Sequence, residues 1–371
     1  MRRKRSTTFL LILLVLALLL GIAVSVLLQN AISSSSFTLP ETQAAQATPE
    51  PARETITPTP FVPQSYVISM VGDCTLASSQ YNSDYDSVLR NHDLSWPFSG
   101  TRSYFADDEF TLANLECAFS DQRLTSSALF YFQGPSENAE ILVNGGVECV
   151  TLGNNHTYDF GEQGLLDTES ALDNAGVSWV GPGDAQVFTT EHGLRIGVYC
   201  PGWTGLSENN IKTGIAALQE AGADILIFAP HWGTEGSYQV TSSQESFAHI
   251  AIDAGANIVF GTHPHVLQRI EEYNGGYIFY SLGNWSFGGN TAPRDRDTAI
   301  AQVTVTEQKD GSYVLDGYAC IPCCLSSTDG VNDYRPTPYD EDSEEYRRVM
   351  NKLDGVFTGP DLSVDYSFLY N

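Results

Sequence analysis

The feature that most constrains the fold of this chain is a series of short apolar segments that alternate with helical patterns. Such alternation indicates an α/β fold in which helices cover the strands of a sheet. Helices are predicted at 162–175 and 244–254, and alternating patterns after Asn284, at 298–306 and 313–321, predict an antiparallel extension of the sheet. The other predicted strands are 66–71, 110–115, 147–152, 194–199, 224–229, 257–260 and 277–281.

The predicted helix at 244–254 carries signals at both of its ends. Ser242 and Glu245 have the spacing of a capping box at the start of the helix. Gly255 follows its last residue, where glycine commonly ends helices. We therefore expect this helix to begin at the Ser242 box and to stop at Gly255.

Several predicted strands are followed directly by a polar residue that is able to bind a metal ion. Ligands of open α/β sheets gather beyond the carboxyl ends of the strands, so these residues are expected to converge on one crevice. Taken singly, a strand-end Asp or Asn also serves as an ordinary cap of a turn or helix. The residues concerned are Asp73, Glu116, Asn155, His156, His231, His263 and His265.

These side chains offer carboxylate, carboxamide and imidazole donors and no thiolate. That mixture suits Mn, Fe, Zn or Co at a reactive centre better than a structural zinc ion. Six or more donors exceed the four of a closed tetrahedral site, so the sequence favours two adjacent divalent ions with Glu116 between them. Pro264 keeps the loop that carries His263 and His265 from becoming helix.

The N-terminal residues have the pattern of a membrane anchor. Residues 1–8 contain four basic side chains, and residues 9–28 contain no charge over a length that spans a bilayer as a helix. The charge asymmetry predicts a cytoplasmic N-terminus and an exterior main domain. A cleaved signal peptide is the alternative, although its apolar region is usually shorter.

Composition then divides the rest of the chain into three parts. Residues 29–64 are rich in Ser, Thr, Ala and Pro and are expected to be a disordered linker. Residues 65–325 have globular composition, and residues 326–371 form an acidic tail with one predicted helix at 342–353. Beyond residue 28 the chain has 45 acidic and 14 basic residues, a net charge of −31, which excludes bulk attraction to nucleic acid.

Seven cysteines are too few for a fold built on disulfides. Cys74 and Cys117 each follow a proposed metal ligand, and if those strand ends are neighbours the two thiols are expected to lie close enough to form a disulfide. The Cys320-Ile321-Pro322-Cys323-Cys324 segment lacks the second pair that a zinc site requires.

Six sequence blocks between about residues 66 and 290 resemble, in order, the signature of the CapA family of poly-γ-glutamate capsule biosynthesis proteins. The domain of that family is similar to the calcineurin-like metallophosphatases. The blocks are Val71-Gly72-Asp73, Ala113-Asn114-Leu115-Glu116, Asn154-Asn155-His156, His231-Trp232-Gly233-Thr234-Glu235, Gly261-Thr262-His263-Pro264-His265 and Tyr280-Ser281-Leu282-Gly283-Asn284.

The resemblance implies a four-layer α/β/β/α sandwich of the metallo-dependent phosphatase type, placed after the N-terminal transmembrane helix. It also implies a protein at the cell membrane of a Gram-positive-type bacterium, with its main domain outside. The implied partners are an anionic polymer such as poly-γ-glutamate, the membrane through residues 9–28 and other capsule-synthesis membrane proteins, but not nucleic acid.

The resemblance further implies a role for each residue of the site. Asp73, Glu116 and His265 would surround one metal ion, whereas Glu116, Asn155, His231 and His263 would surround the other. His156 would be a general acid held by Asp159, and Glu235 would lie behind the ligands. The chain departs from the phosphatase pattern at Thr75, where those enzymes have a histidine, and at Glu116, where they have an aspartate.

Three functions are compatible with these features. The first is a capsule-assembly component that takes part in synthesis, export or anchoring of poly-γ-glutamate or a related wall polymer. The second is an extracellular metal-dependent hydrolase that cleaves a phosphoester or a γ-glutamyl amide. The third is a catalytically inactive scaffold on the same fold, since fold alone does not fix function.

Overall fold

The computed structural model describes residues 61–362 of the 371-residue chain. The predicted cytoplasmic tip, the transmembrane segment 9–28 and nearly all of the linker 29–64 lie outside the described residues. Within 61–362, no helix combines the length and the apolar character that a membrane span requires.

The described chain contains sixteen strands, six α-helices and three short 3₁₀ helices, which are at Trp96–Phe98, Arg102–Tyr104 and Ser136–Ala139. In chain order the other elements are β1 (Ser65–Thr75), α1 (Asp84–Asn91), β2 (Phe110–Leu115), β3 (Ala118–Phe119), β4 (Gln133–Gly134), α2 (Glu140–Gly145), β5 (Cys149–Thr151), α3 (Gly161–Ala175), β6 (Ser178–Val180), β7 (Ala185–Thr189), β8 (Arg195–Tyr199), α4 (Glu208–Glu220), β9 (Ile225–Phe228), α5 (Ser242–Asp253), β10 (Ile258–Phe260), β11 (Ile270–Tyr273), β12 (Gly276–Phe279), β13 (Asn284–Phe287), β14 (Asp297–Glu307), β15 (Tyr313–Cys324), β16 (Thr337–Pro338) and α6 (Glu344–Leu353).

Two mixed sheets form the frame of the molecule. The eight-stranded sheet has the order β16-β15-β14-β1-β2-β5-β6, and β13 pairs with the end of β1. In it, β1, β2, β5 and β6 are parallel, and β14 and β15 provide the antiparallel extension that the sequence predicts. The six-stranded sheet has the order β11-β12-β10-β9-β8-β7, with β8, β9, β10 and β12 parallel.

The two sheets pack face to face, and helices cover their outer faces. Between the sheets, Met70 and Leu112 of one sheet join Ile227 and Phe260 of the other in a fully buried cluster. On the far side of the six-stranded sheet, α4 and α5 bury their apolar residues against its strands. On the far side of the eight-stranded sheet, α2 and α3 do the same, with Leu172 among the buried residues. The described chain is therefore a mixed α/β structure of layered sheets and helices.

The predicted strands and helices are found within a few residues of their expected bounds, but the capping box of α5 was predicted wrongly. The box is formed by Thr241 and Gln244 and not by Ser242 and Glu245. Thr241 Oγ1 accepts the Gln244 N–H at 3.2 Å, and Gln244 Oε1 accepts the Thr241 N–H at 3.0 Å. The physical reason is burial: Gln244 is 1% exposed and also donates to Gln268, so the turn is set by a tertiary contact.

The predicted helix of the acidic tail is present as α6 and packs on the long hairpin of the eight-stranded sheet. Val349 and Leu353 of α6 are buried together with Leu267 and Ala299. In the same helix Lys352 is only 4% exposed. Its charge is therefore taken out of water and must be met by carboxylates of the sheet.

Candidate metal centre

The polar residues at the strand ends meet at the carboxyl edges of both sheets. In the eight-stranded sheet Asp73 of β1 is paired in register with Asn114 of β2. In the other sheet a β-bridge aligns His231, after β9, with Thr262, after β10. The predicted crevice is thus formed where the parallel ends of the two sheets converge.

A close approach of two backbone segments places Asp73. Its N–H donates to the carbonyl of Gly283 at 2.9 Å, and Asp73 is paired with Asn284. A Cβ atom on Gly72 would lie 1.9 Å from the Gly283 oxygen. Only glycine fits at position 72, since any side chain would force the two segments apart.

Backbone hydrogen bonds hold the loop after β9 against the loop after β10. Trp232 N–H donates to the Thr262 carbonyl at 3.0 Å, and Thr262 N–H donates to the Pro230 carbonyl at 3.1 Å. Farther along, Gly236 N–H donates to the Pro264 carbonyl at 2.8 Å. These bonds fix His231 and the residues up to Gly236 relative to the two histidines around Pro264.

Both histidines of the His-Pro-His segment adopt backbone angles that L-residues rarely have. The φ angle is 99° at His263 and 58° at His265. Such conformations cost about 1–3 kcal/mol each and persist where the surrounding structure imposes them. One contact that imposes this conformation is the hydrogen bond from the His263 N–H to Asp73 Oδ2 at 3.1 Å.

Three imidazoles and two carboxylates face one another in the crevice. His231 Nε2 lies 3.3 Å from Glu116 Oε1 and 3.1 Å from His263 Nδ1. His265 Nδ1 lies 3.2 Å from Asp73 Oδ2, and its Nε2 lies 3.9 Å from Glu116 Oε1. Asp73 and Glu116 are fully buried.

Glu116 has the surroundings expected of a metal ligand. Neither of its carboxylate oxygens is hydrogen-bonded within the described residues, although His231 is near. A buried carboxylate is costly unless a cation compensates it; the protonated ring of His265, 3.9 Å from Glu116 Oε1, does so without metal, and a divalent cation would do so in its place. The donor set around Glu116 therefore fits a divalent cation.

The charge states in the crevice follow from these contacts. Burial alone would raise the pKa of Glu116, but the charges of His265 and His231 hold it at about 2. Burial, together with His231 and His265, lowers the pKa of His263 to about 2. At neutral pH Glu116 is thus a carboxylate and His263 a neutral imidazole, which are the forms that bind metal.

His265 differs from its neighbour because two carboxylates face it. Burial opposes its protonation, yet Glu116 and Asp73 raise its pKa to about 10. Without a metal ion the ring is protonated at neutral pH, so a metal that binds His265 would displace its proton.

The remaining predicted residues lie around this cluster. Asn155 Oδ1 is 2.8 Å from His231 Nε2, so the amide lies beside one of the candidate ligands. His156 Nδ1 is 2.7 Å from Asp159 Oδ2. Burial by itself would lower the pKa of His156. The hydrogen bond with Asp159 and the charge of Glu116 raise it overall.

Potential metal donors fall into three overlapping groups, and within each group the donor atoms lie within 4.8 Å of one another. Glu116 belongs to two of these groups. The remaining group contains Glu235, which was expected to lie behind the ligands. The groups are Asp73 with Glu116 and His265, Glu116 with His231 and His263, and Glu235 with His263 and His265.

Thr75, at the position where the resemblance expects a histidine, is not directed to the donors. The residue is fully buried, and its hydroxyl donates to the backbone carbonyl of Glu116 at 3.3 Å. It thus supports the strand end that carries Glu116.

Four polar residues that the sequence did not assign hold the predicted ligands. Asn114 donates to Asp73 Oδ1 at 2.9 Å, and its own oxygen accepts from Asn154 at 3.1 Å. Thr262 Oγ1 lies 2.9 Å from His231 Nδ1, and Asn284 Oδ1 lies 2.8 Å from His265 Nδ1. Such partners fix the orientation of metal-binding rings. All four belong to the six sequence blocks described above, so their place in those blocks could have pointed to them.

A fifth missed residue had no signal in the sequence. Trp203 is 42% exposed, and its ring centroid lies 4.6 Å from that of His263 and 5.6 Å from that of His231. Trp203 lies in the loop after β8, and the sequence predicts no metal-binding residue in that loop. Trp203 forms an exposed apolar wall on the His231 and His263 side.

The predicted disulfide is absent. All seven cysteines are free thiols, and both Cys74 and Cys117 are buried. Burial raises the pKa of each thiol, so neither is a reactive thiolate at neutral pH. These two cysteines are small apolar residues of the core behind the crevice.

Comparisons with known proteins agree with the sequence blocks. Residues 67–288 match the family model described as bacterial capsule synthesis protein PGA_cap. The chain is 25% identical over 286 residues to the capsule biosynthesis protein CapA of Bacillus anthracis, and this covers 68% of the chain and 66% of that protein. It is 27% identical over 281 residues to the PGA biosynthesis protein CapA of Bacillus subtilis, covering 69% and 70%. The chain thus spans about two thirds of the length of these relatives.

Solved structures give more distant matches. An NAD nucleotidase of Haemophilus influenzae aligns with a TM-score of 0.42 and 11% identity, covering 78% of this chain and 55% of that one. A 5'-nucleotidase from Staphylococcus aureus, described as putative, aligns with a TM-score of 0.42 and 14% identity, covering 78% and 58%.

Proposed function

Because this chain belongs to the bacterial capsule synthesis protein family PGA_cap, we propose that it takes part in the synthesis, export or anchoring of a poly-γ-glutamate capsule or a related anionic wall polymer. Two relatives are named for capsule or PGA biosynthesis, which supports this role. The proposed place of action is the outer face of the cell membrane. Its support is the uncharged segment 9–28 with basic residues before it and the Pro-rich linker 29–64 after it.

The observation that carries the proposal is Glu116, a fully buried carboxylate whose two oxygens lack hydrogen bonds within residues 61–362. We propose two divalent ions, Mn, Fe or Zn, in this crevice. Asp73, Glu116 and His265 would hold one of them. The other would be held by Glu116, Asn155, His231 and His263. Such ions polarise bound oxygen atoms and lower the pKa of bound water.

An anionic polymer needs a local positive site on this chain, whose charge beyond residue 28 is −31. A cavity of about 170 Å³ opens at His265 and is also lined by Arg294 and by the carboxylates Glu235 and Asp295. A carboxylate of the polymer entering this cavity would approach His265, where the proposed metal ions would supply the positive charge. The cavity is thus the proposed entrance for the polymer.

A second candidate function, an extracellular metal-dependent hydrolase, is favoured by the pair His156 and Asp159. Their 2.7 Å contact and the raised pKa of His156 keep a proton available at that ring. A positioned imidazolium that gives its proton to a leaving group typically contributes 10²–10⁴-fold to a rate. The substrate would be a phosphoester or a γ-glutamyl amide.

The capsule role is tested by deleting the gene in a strain that produces surface polyglutamate. We expect loss of capsule staining, restoration by the wild-type gene and no restoration by Glu116→Gln. Glu191→Gln is the matched control, because Glu191 is an exposed carboxylate in the turn between β7 and β8. Unchanged surface polyglutamate in the deletion strain would contradict the proposal.

A further inference from the structure

Glu235 is held in a defined position although it lies in a loop. The loop contains two glycines in the left-handed region, Gly233 with φ 91° and Gly236 with φ 73°. Gly236 donates to the Pro264 carbonyl at 2.8 Å and accepts from the Leu362 N–H at 2.9 Å. The backbone beside Glu235 is therefore fixed both to the His-Pro-His segment and to the C-terminal part of the described chain.

The next residues strengthen this attachment. The Ser237 hydroxyl donates to Asp361 Oδ2 at 2.8 Å, and the Tyr238 N–H donates to Asp361 Oδ1 at 2.9 Å. Asp361 thus holds the loop from the side opposite to Pro264. A loop tied on both sides presents its side chain in a restricted set of orientations.

The side chain of Glu235 reaches the histidines. A carboxylate oxygen of Glu235 and a ring nitrogen of each of His263 and His265 lie within 4.8 Å of one another. Glu235 and His265 also line the same cavity of about 170 Å³. The Glu235 carboxylate is therefore at the cavity, whereas Glu116 is fully buried.

The orientation of His265 is already determined by other residues. Its Nδ1 lies 2.8 Å from Asn284 Oδ1 and 3.2 Å from Asp73 Oδ2. A further carboxylate is not needed to fix this ring or its tautomer. The position of the Glu235 carboxylate beside two imidazoles is instead that of a further donor.

Charge supplies the second argument. Asp73 and Glu116 are the two carboxylates in the buried part of the donor set. Two divalent ions would leave an excess of positive charge there, and uncompensated charge is costly away from water. A third carboxylate at the open side lowers that excess.

On the basis of the metal centre proposed above, we propose that the Glu235 carboxylate is itself a metal ligand on the His265 side of the centre. The ion on this side would then have the Glu235 carboxylate beside the imidazoles of His263 and His265, and such oxygen and imidazole donors suit Mn, Fe or Zn. Glu235 and His265 are then the two ligands that line the cavity.

The test is metal binding by the full chain, measured by elemental analysis after dialysis and by titration of the metal-free protein with Mn²⁺. We expect Glu235→Gln to weaken Mn²⁺ binding at one site by about tenfold or more, since even residues behind metal ligands commonly cost 10–100-fold. Glu235→His, which restores a donor, is expected to recover most of the affinity. Glu191→Gln is the matched control and is expected to bind as the wild type does.

The outcomes separate this inference from the function on which it rests. Wild-type Mn²⁺ binding in Glu235→Gln overturns the role of Glu235 and leaves the metal centre in place. Absence of metal in every variant, the wild type included, overturns both. Mn²⁺ binding that stays as weak in both Glu235→His and Glu235→Asp as in Glu235→Gln shows that a donor at this position does not restore the site, and also overturns the inference. Equal thermal unfolding of all variants in chelator confirms that they share one fold.

Discussion

The backbone N–H of His263 donates to Asp73 Oδ2 at 3.1 Å, although 190 residues separate the two in the chain. Asp73 ends the central strand of the eight-stranded sheet, and His263 follows β10 of the six-stranded sheet. This bond therefore joins the two sheets at the crevice where the candidate metal donors converge.

Removal of metal is expected to destabilise the wild type but not Glu116→Gln. A ligand that binds only the folded state stabilises it by about 2.7 kcal/mol at a concentration of 100 times Kd. Thermal unfolding of full-length wild type with Mn²⁺ and with chelator should differ by several degrees. Glu116→Gln should unfold at one temperature in both, whereas Glu191→Gln should behave as the wild type. A chelator effect that persists in Glu116→Gln would contradict the assignment of Glu116.

Replacing His156 is expected to abolish hydrolysis if the second candidate function operates. His156→Ala and Asp159→Asn should each lower the rate on a generic phosphodiester or a γ-glutamyl peptide by about 10²-fold or more. The matched control is His192→Ala. His192 forms the same kind of pair, with Glu109 at 2.7 Å, but its ring is exposed. His192 comes before β8, at the end of the strand away from the crevice. Equal rates in all four proteins would exclude His156 as the general acid.

Gly72→Ala is expected to destabilise the fold by about 1–3 kcal/mol, the usual cost of overpacking a tight site. The added Cβ would lie 1.9 Å from the Gly283 oxygen, and the next residues of the two segments, Asp73 and Asn284, are paired in a sheet. Urea unfolding measures the loss. Gly330→Ala is the control, since a Cβ there has no neighbour within 4 Å among the described residues. A Gly72→Ala variant as stable as Gly330→Ala would contradict this account of the β1 end.

The charged cluster that holds α6 is expected to make stability depend on acid pH. Lys352 Nζ lies 2.7 Å from Asp295 and 2.8 Å from Asp297, and Arg348 binds Asp297 at 2.7 Å. Burial would raise the pKa of Asp297, but Arg348 and Lys352 lower it overall. Since the folded pKa is depressed, the stabilisation is complete above the unfolded pKa of about 3.9 and is lost as pH falls through the folded value.

Asp297→Asn tests this dependence by urea unfolding between pH 2 and pH 7. At neutral pH we expect a loss of about 3–5 kcal/mol, the usual cost of breaking a buried ion pair. Below pH 4 the difference from the wild type should shrink, because the wild-type carboxylate becomes protonated. Asp340→Asn, at an exposed position, should leave the free energy of unfolding unchanged both at neutral pH and below pH 4. A wild-type curve that is flat below pH 4 would contradict the role of Asp297.

Much of the candidate site was predictable because its residues sit in short local patterns. Asp73, Glu116, His231 and the His263–His265 pair follow apolar runs that form buried strands, and parallel strand ends meet at one edge. The crevice and its donors therefore followed from periodicity and residue type. The orientation of each donor did not, since it depends on Asn114, Asn154, Thr262 and Asn284, whose partners lie on other segments.

Local patterns failed where a distant contact decided the outcome. The capping box of α5 moved to Thr241 and Gln244 because Gln244 is buried against Gln268. The Cys74 and Cys117 thiols lie in the core as free cysteines, although adjacent strand ends favoured a disulfide. In both cases the sequence spacing is compatible with two outcomes, which are two positions of the capping box and a bonded or a free pair of thiols. Packing against distant residues selects one of them.

The sequence by itself determined the family, the alternation of strands and helices and the polar residues that follow the strands, because these depend on residue type and short spacing. Only the tertiary structure decided that Glu116 is buried without hydrogen bonds from residues 61–362, that Glu235 reaches His263 and His265, and that Lys352 is buried against Asp295 and Asp297. The physical reason is that burial and electrostatic environment are set by the segments packed around a residue. Those segments come from distant parts of the chain, brought together by the pairing of strands and the packing of two sheets.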